Sequence, residues 1–121
     1  VSVPGAFTPT CSEQHLPGYI KLKDDILSKG IDKIYFVSVN DPFVIQEWAK
    51  TFNENDIGFI ADSYGDFLNE IEAIIDLTVI GLGKRLSRFA MVIDNGLVNS
   101  IFDEEGGGLD KSKAENVLKF L

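Results

Sequence analysis

At 121 residues with 45% hydrophobic side chains, the chain is of a size to build one compact core and one soluble domain. Nineteen acidic against eleven basic residues give a formal charge of −8, which repels phosphate backbones and argues against nucleic acid as a partner. No apolar run reaches the length of a membrane span, the first residues lack a secretory leader's order of charges, and one Cys with one His cannot form an internal disulfide or the usual zinc sites.

In chain order, Val1-Ser2-Val3 reads as the end of an apolar strand, and Pro4-Gly5 as a turn. Thr8 suits the N-cap of a helix whose first residue is Pro9, which places Cys11 in the first turn. The apolar stripe of Tyr19, Leu22, Ile26 and Leu27 carries that helix over about 9 to 29, with a kink at Pro17-Gly18 and Gly30 as the C-cap.

KIYFVSVN, residues 33 to 40, is apolar and β-branched enough for a central parallel strand buried on both faces. Asp41-Pro42 repeats the cap-then-proline signal, and Val44, Ile45, Trp48 and Phe52 share one face of a second helix reaching Asn53. A strand follows at Gly58 to Ala61. From Ser63 to Ile80, Phe67, Leu68, Ile71, Ile74 and Ile75 fall mostly at helical spacing, with Thr78 to Ile80 readable either way.

Asn95-Gly96 between the apolar runs 88 to 93 and 97 to 102 predicts a hairpin, because a two-residue turn there needs positive φ at both positions. Gly106 to Gly108 mark a flexible break, and a last helix is expected over Leu109 to Leu121. This order predicts an α/β chain with a central mixed sheet and helices on both faces.

A lone cysteine carries chemistry when its thiolate is stabilised, and a helix N-terminus contributes about 0.3 to 1 kcal/mol, or up to about 2 when partly buried. A second cation is therefore wanted beside Cys11. His15, one turn further along the same helix, can reach the thiol's surroundings or serve only the fold. Trp48 and Phe52 read as core or dimer contacts, Phe7 and Phe43 as borders of the site's mouth, and Lys84 and Arg85 as solvated surface charges. Gly81, Gly83 and the later triple glycine lack the spacing of a phosphate loop, so no nucleotide cofactor is expected.

The stretch VPGAFTPTCSEQHLPGY resembles the active-site loop of the peroxiredoxins in its spacing of Pro4, Thr8 and Cys11. HLPG at 15 to 18, VSVND at 37 to 41, EW at 47 and 48, and RFAMVIDNG at 88 to 96 are similar to the type II, peroxiredoxin 5-like branch. The resemblance implies a thioredoxin-like fold and a thiol-dependent peroxidase acting on hydrogen peroxide and organic hydroperoxides, without cofactor or metal. It implies that Cys11 attacks the peroxide, Thr8 bonds thiolate and peroxide, Pro4 shields the thiol from water, and Arg88 is the missing cation. Where two-cysteine members carry a resolving thiol near the chain end, residues 110 to 112 here are Asp, Lys and Ser. An external reductant of the glutathione, glutaredoxin or thioredoxin type is thus implied.

The same resemblance suggests a homodimer and a cytoplasmic or, after removal of a transit peptide, plastid or mitochondrial location, with secretion not expected. Residues 1 to 121 read as one domain that lacks N-terminal strands, because type II members place several tens of residues before the active-site proline and here three precede Pro4. An alternative with the same site residues is a peroxide sensor or redox relay that passes oxidation to a partner protein.

Overall fold

The computed structural model describes residues 1–105 and 108–121. The expected glycine break falls mainly on positions 106 and 107, which lie outside the described residues.

Strands β1 (Ile34–Ser38) and β2 (Ile57–Ala61) pair in parallel, with Ile34 opposite Ile57 and Ser38 opposite Ala61. Strands β5 (Phe89–Asp94) and β6 (Leu97–Asp103) form an antiparallel hairpin, in which Asn95 and Gly96 take the positive φ values of 52° and 81° that the dipeptide predicts. The segment at Ser2 joins the two pairs. Its backbone bonds to Val37 on one side, where the pairing is parallel, and to Phe89 on the other, where it is antiparallel. The expected opening strand is thus a short piece in the middle of a mixed sheet.

The first helix is helical from Pro9, passes through a π-helical turn at Cys11–His15, and continues as α1 (Leu16–Leu27). Thr8 departs from its expected role. Its carbonyl accepts the Ser12 N–H, but its hydroxyl donates to the Gly5 carbonyl at 2.6 Å instead of capping the helix. Pro17 is the second residue of α1, directly after the π-helical turn, and the turn that Gly30 closes at φ 95° begins after Leu27.

Helix α2 (Pro42–Phe52) begins as its sequence requires, with the Asp41 carboxylate accepting from the Phe43 and Val44 N–H groups at 2.8 and 2.9 Å. β1 is buried on both faces except at Tyr35, which is half exposed.

The segment from 63 to 80 differs most from its helical reading. Only α3 (Asp66–Ile71) is helical, bounded by Gly65 and Glu72 at positive φ. β3 (Ile74–Leu77) then pairs antiparallel with β4 (Gly83–Leu86) around a 3-10 turn at Thr78–Ile80. Ile71, Ile74 and Ile75 have helical spacing, but Glu72 in the left-handed region breaks the helix between them, and residues 74 to 77 alternate in burial as a strand does.

The last helix, α4, covers only Ala114–Lys119. The amides of Asp110, Lys111 and Ser112, just before it, are held by the Glu104 carboxylate.

The core gathers where α1, α2 and α4 meet the sheet, and Phe36 and Trp48 are almost fully enclosed there. Tyr19 meets Phe36 at a centroid distance of 5.4 Å, and Trp48 meets Phe59 at 5.7 Å, both edge-on. Trp48 is therefore a core residue, and Phe52 meets it edge-on at 5.8 Å. Among the described residues no helix is long and apolar enough to cross a membrane. The fold is thioredoxin-like, with helices packed on a mixed sheet.

Candidate active site

Cys11 sits in the π-helical first turn with no exposed surface, and the Leu16 N–H reaches back to its carbonyl to close that turn. Single π turns of this kind occur often at functional positions. The loop leading into it is held from two sides. From the end of β1, the Asn40 side-chain oxygen accepts from the Ala6 N–H at 2.9 Å and from the Ser38 hydroxyl at 2.6 Å. From β4, Arg85 donates to the Pro4 carbonyl at 3.3 Å and to the Leu82 carbonyl at 2.8 Å. Arg85 is therefore not the plain solvated charge that its surroundings in the sequence suggest, whereas Lys84 is exposed. Phe7, at φ 61° and about half exposed, marks where this loop bends.

Arg88 lies between β4 and β5, distant in sequence from Cys11, and is only 2% exposed. Its Nη2 donates to Cys11 Sγ at 3.2 Å, and its Nη1 donates to His15 Nδ1 at 2.8 Å. The guanidinium fork thus divides between the thiol and the imidazole. Arginine is suited to this because its donors are fixed in one plane and its charge is permanent.

His15 is 1% exposed and belongs to the same network. Its Nε2 lies 3.1 Å from the Ser112 carbonyl, which can only accept, so the ring carries its proton on Nε2 and presents a lone pair on Nδ1 to Arg88. Burial, reinforced by the neighbouring Arg88 charge, pushes the His15 pKa down to about 3, so the ring is neutral at physiological pH. A protonated ring would set N–H against N–H at the Arg88 contact. The structure thus decides between the two roles that the sequence left open for His15, in favour of a direct part in the site's hydrogen bonding.

All four residues singled out from the sequence lie on this one region. Cys11 and Arg88 are in contact, Pro4 is buried in the entry loop, and Thr8 lies partly buried one turn before Cys11. Trp48 also reaches the site, its indole N–H donating to the hydroxyl of Ser12, next to Cys11, at 2.9 Å. Four contributors were not anticipated: Asn40, Arg85, Glu104 and Ser112. Asn40 alone carried a signal, as an amide side chain ending a strongly apolar run. The other three stand in polar stretches where nothing local distinguishes them.

The redoxin family pattern matches residues 1–118. Peroxiredoxin-2C of Oryza sativa subsp. japonica is 48% identical over 120 residues, spanning 98% of this chain and 74% of the rice protein. The reduced Prx3 of Vibrio vulnificus, solved in complex with hydrogen peroxide, superposes with a TM-score of 0.94 at 44% identity, over 99% of this chain and 78% of that one. Peroxiredoxin 5 of Alvinella pompejana superposes with a TM-score of 0.86 at 33% identity, over 98% and 73% of the two chains. With a thiol buried against a guanidinium at the start of a helix, and with likenesses that run nearly end to end, this chain belongs to the redoxin family as a type II, peroxiredoxin 5-like peroxiredoxin with one cysteine in its 121 residues, and is a thiol-dependent peroxidase.

Proposed function

We propose that Cys11 is the peroxide-attacking residue, and that Arg88, Thr8 and Pro4 complete its site. The observation that carries this reading is the Arg88 Nη2 bond to Cys11 Sγ at 3.2 Å, made where both groups are out of water. A guanidinium there donates to the sulfur and can also bond the oxygen on which charge develops as the O–O bond breaks.

The thiolate attacks the terminal peroxide oxygen, the O–O bond opens, and the other oxygen leaves as water or alcohol after taking a proton. The sulfur loses two electrons and becomes a sulfenic acid. Thr8 has a defined part in this. Its hydroxyl proton is given to the Gly5 carbonyl, which leaves its oxygen as an acceptor suited to orienting the peroxide's O–H. Buried Pro4 keeps bulk water from the sulfur.

With one cysteine among these 121 residues, we take the reductant of the sulfenic acid to be an external thiol. An incoming thiol condenses with it, releasing water and forming a mixed disulfide, and a second thiol frees Cys11. Because Cys11 has no exposed surface, peroxide and thiol alike reach Sγ only when the Cys11 turn opens, and the bulkier thiol needs the wider opening. We assign the reductant to the glutathione, glutaredoxin or thioredoxin class, and read the exposed Phe43 at the start of α2 as part of a homodimer contact. A cytoplasmic or organellar location fits this chemistry.

Turnover tests the assignment. An enzyme consumes many equivalents of peroxide with excess glutathione and glutaredoxin, and loses this with Cys11→Ser. A relay protein instead stops at a mixed disulfide with one defined partner protein.

A further inference from the structure

Glu104 takes no part in the chemistry above, yet its carboxylate is saturated with donors. It accepts from the backbone N–H of Asp110 at 2.7 Å, of Lys111 at 3.0 Å and of Ser112 at 2.8 Å, and from the Ser112 hydroxyl at 2.8 Å. Burial acts to raise its pKa, but the Ser112, Asp110 and Lys111 N–H donors outweigh that and hold the carboxyl below the ordinary glutamate range, so it is charged at neutral pH. Its own N–H donates to the Arg88 carbonyl at 3.1 Å. One residue thus binds the backbone beneath the guanidinium and organises the loop opposite it.

What that loop presents to the interior is the Ser112 carbonyl. Ser112 is fully buried, and its carbonyl receives the Tyr19 hydroxyl at 2.6 Å and His15 Nε2 at 3.1 Å. Those two donors fix the carbonyl's direction, the carbonyl fixes the imidazole's tautomer, and the tautomer leaves on Nδ1 the lone pair that Arg88 Nη1 needs at 2.8 Å. The other Arg88 nitrogen then points at Cys11 Sγ. Each link is a bond in which one partner can only accept or only donate, so the chain has one direction of assembly.

We infer that Glu104 is a positioning residue for the peroxidase site: by ordering the backbone of 110 to 112 it holds His15 in the Nε2–H form, and through His15 it keeps the Arg88 fork aimed at Cys11. The inference rests on the reading of Cys11 and Arg88 as the reacting pair. A loop carboxylate with a purely structural role would make the same four bonds but would act on stability alone.

The experiment compares the rate at which reduced protein consumes one equivalent of hydrogen peroxide in wild type, Glu104→Gln, Arg88→Ala and the double variant, with Glu54→Gln as a control that breaks the Lys23 ion pair elsewhere in the fold. Nitrogen NMR of the imidazole is read alongside, unambiguous because His15 is the chain's one histidine. Glu104→Gln is expected to slow the reaction about tenfold, the scale on which residues of one hydrogen-bond network couple. The double variant is expected to be no slower than Arg88→Ala, and the His15 signals to move from a single Nε2–H form toward exchange between tautomers. Should Glu104→Gln not fold, Ser112→Ala, which removes one of the carboxylate's four bonds, is expected to give a smaller slowing with the same lack of additivity. Loss of thermal stability with an unchanged rate and an unchanged imidazole overturns the inference, as does a slowing that adds fully to that of Arg88→Ala. If Arg88→Ala itself reacts at the wild-type rate, the reading of the site falls and the inference with it.

Discussion

Removing the guanidinium separates what it does for the reaction from what it does for the fold. Arg88→Ala deletes the donor at 3.2 Å from Cys11 Sγ and leaves the buried His15 Nδ1 without the partner it has at 2.8 Å. A hydrogen bond to a charged group contributes about 1.5 to 3 kcal/mol, which applied to the barrier is roughly a ten- to 150-fold loss of rate. Loss of a donor facing the departing oxygen is of similar or larger scale, so a fall of about a hundredfold is expected. Arg88→Lys keeps the charge but not the planar fork, and should fall between wild type and Ala. The assay is stopped-flow mixing of reduced protein with peroxide, followed by fluorescence of Trp48, the chain's one tryptophan, whose indole bonds to the residue beside Cys11. A rate for Arg88→Ala within about threefold of wild type, in a protein shown to be folded, would refute the argument, since no donor worth even 1 kcal/mol could then have been lost.

Other consequences are checked with simpler means. Thr8→Val removes the oxygen that orients the peroxide and should slow the reaction by about tenfold or more, whereas Thr8→Ser keeps the bond to Gly5 and most of the rate, both measured by peroxide consumption. Ser12→Ala leaves the buried Trp48 N–H unpaired, and should lower stability by about 1 to 3 kcal/mol in urea unfolding. The folded His15 titrates near 3 and the unfolded one near 6.5, so the unfolded chain binds the extra proton between those values and stability falls as pH drops through that window. The full effect is on the order of 5 kcal/mol, and His15→Gln should flatten the pH dependence of unfolding between pH 7 and 4. The depressed Glu104 adds loss in the same direction at lower pH. An equal slope in the variant would contradict the buried neutral imidazole.

How far the sequence reached depended on whether the information was local. The Asp41 cap, the Asn95-Gly96 turn and the short parallel strands follow from residue types within a few positions, and the structure has them where they were expected. The β3–β4 hairpin does not, because isoleucines at 71, 74 and 75 satisfy a helical period until Glu72 interrupts it. The last helix is shorter than its period suggests, and the residues just before it are held by Glu104, a partner outside that segment. In the site, Thr8, Cys11 and His15 share one loop and helix, and Arg88 was identified by its resemblance motif. Asn40, Arg85, Glu104 and Ser112 act through contacts between segments that only the folded chain brings together.

If Arg88 activates Cys11 as proposed, Cys11 reacts with peroxide faster than an ordinary thiol. The most direct test is the mass of the intact protein after one equivalent of hydrogen peroxide, with and without a sulfenic-acid trap, for wild type, Cys11→Ser and Arg88→Ala. A trapped sulfenic acid on Cys11 is expected within seconds at micromolar peroxide, absent in Cys11→Ser and much delayed in Arg88→Ala. Oxidation of the wild type no faster than that of free cysteine would contradict it.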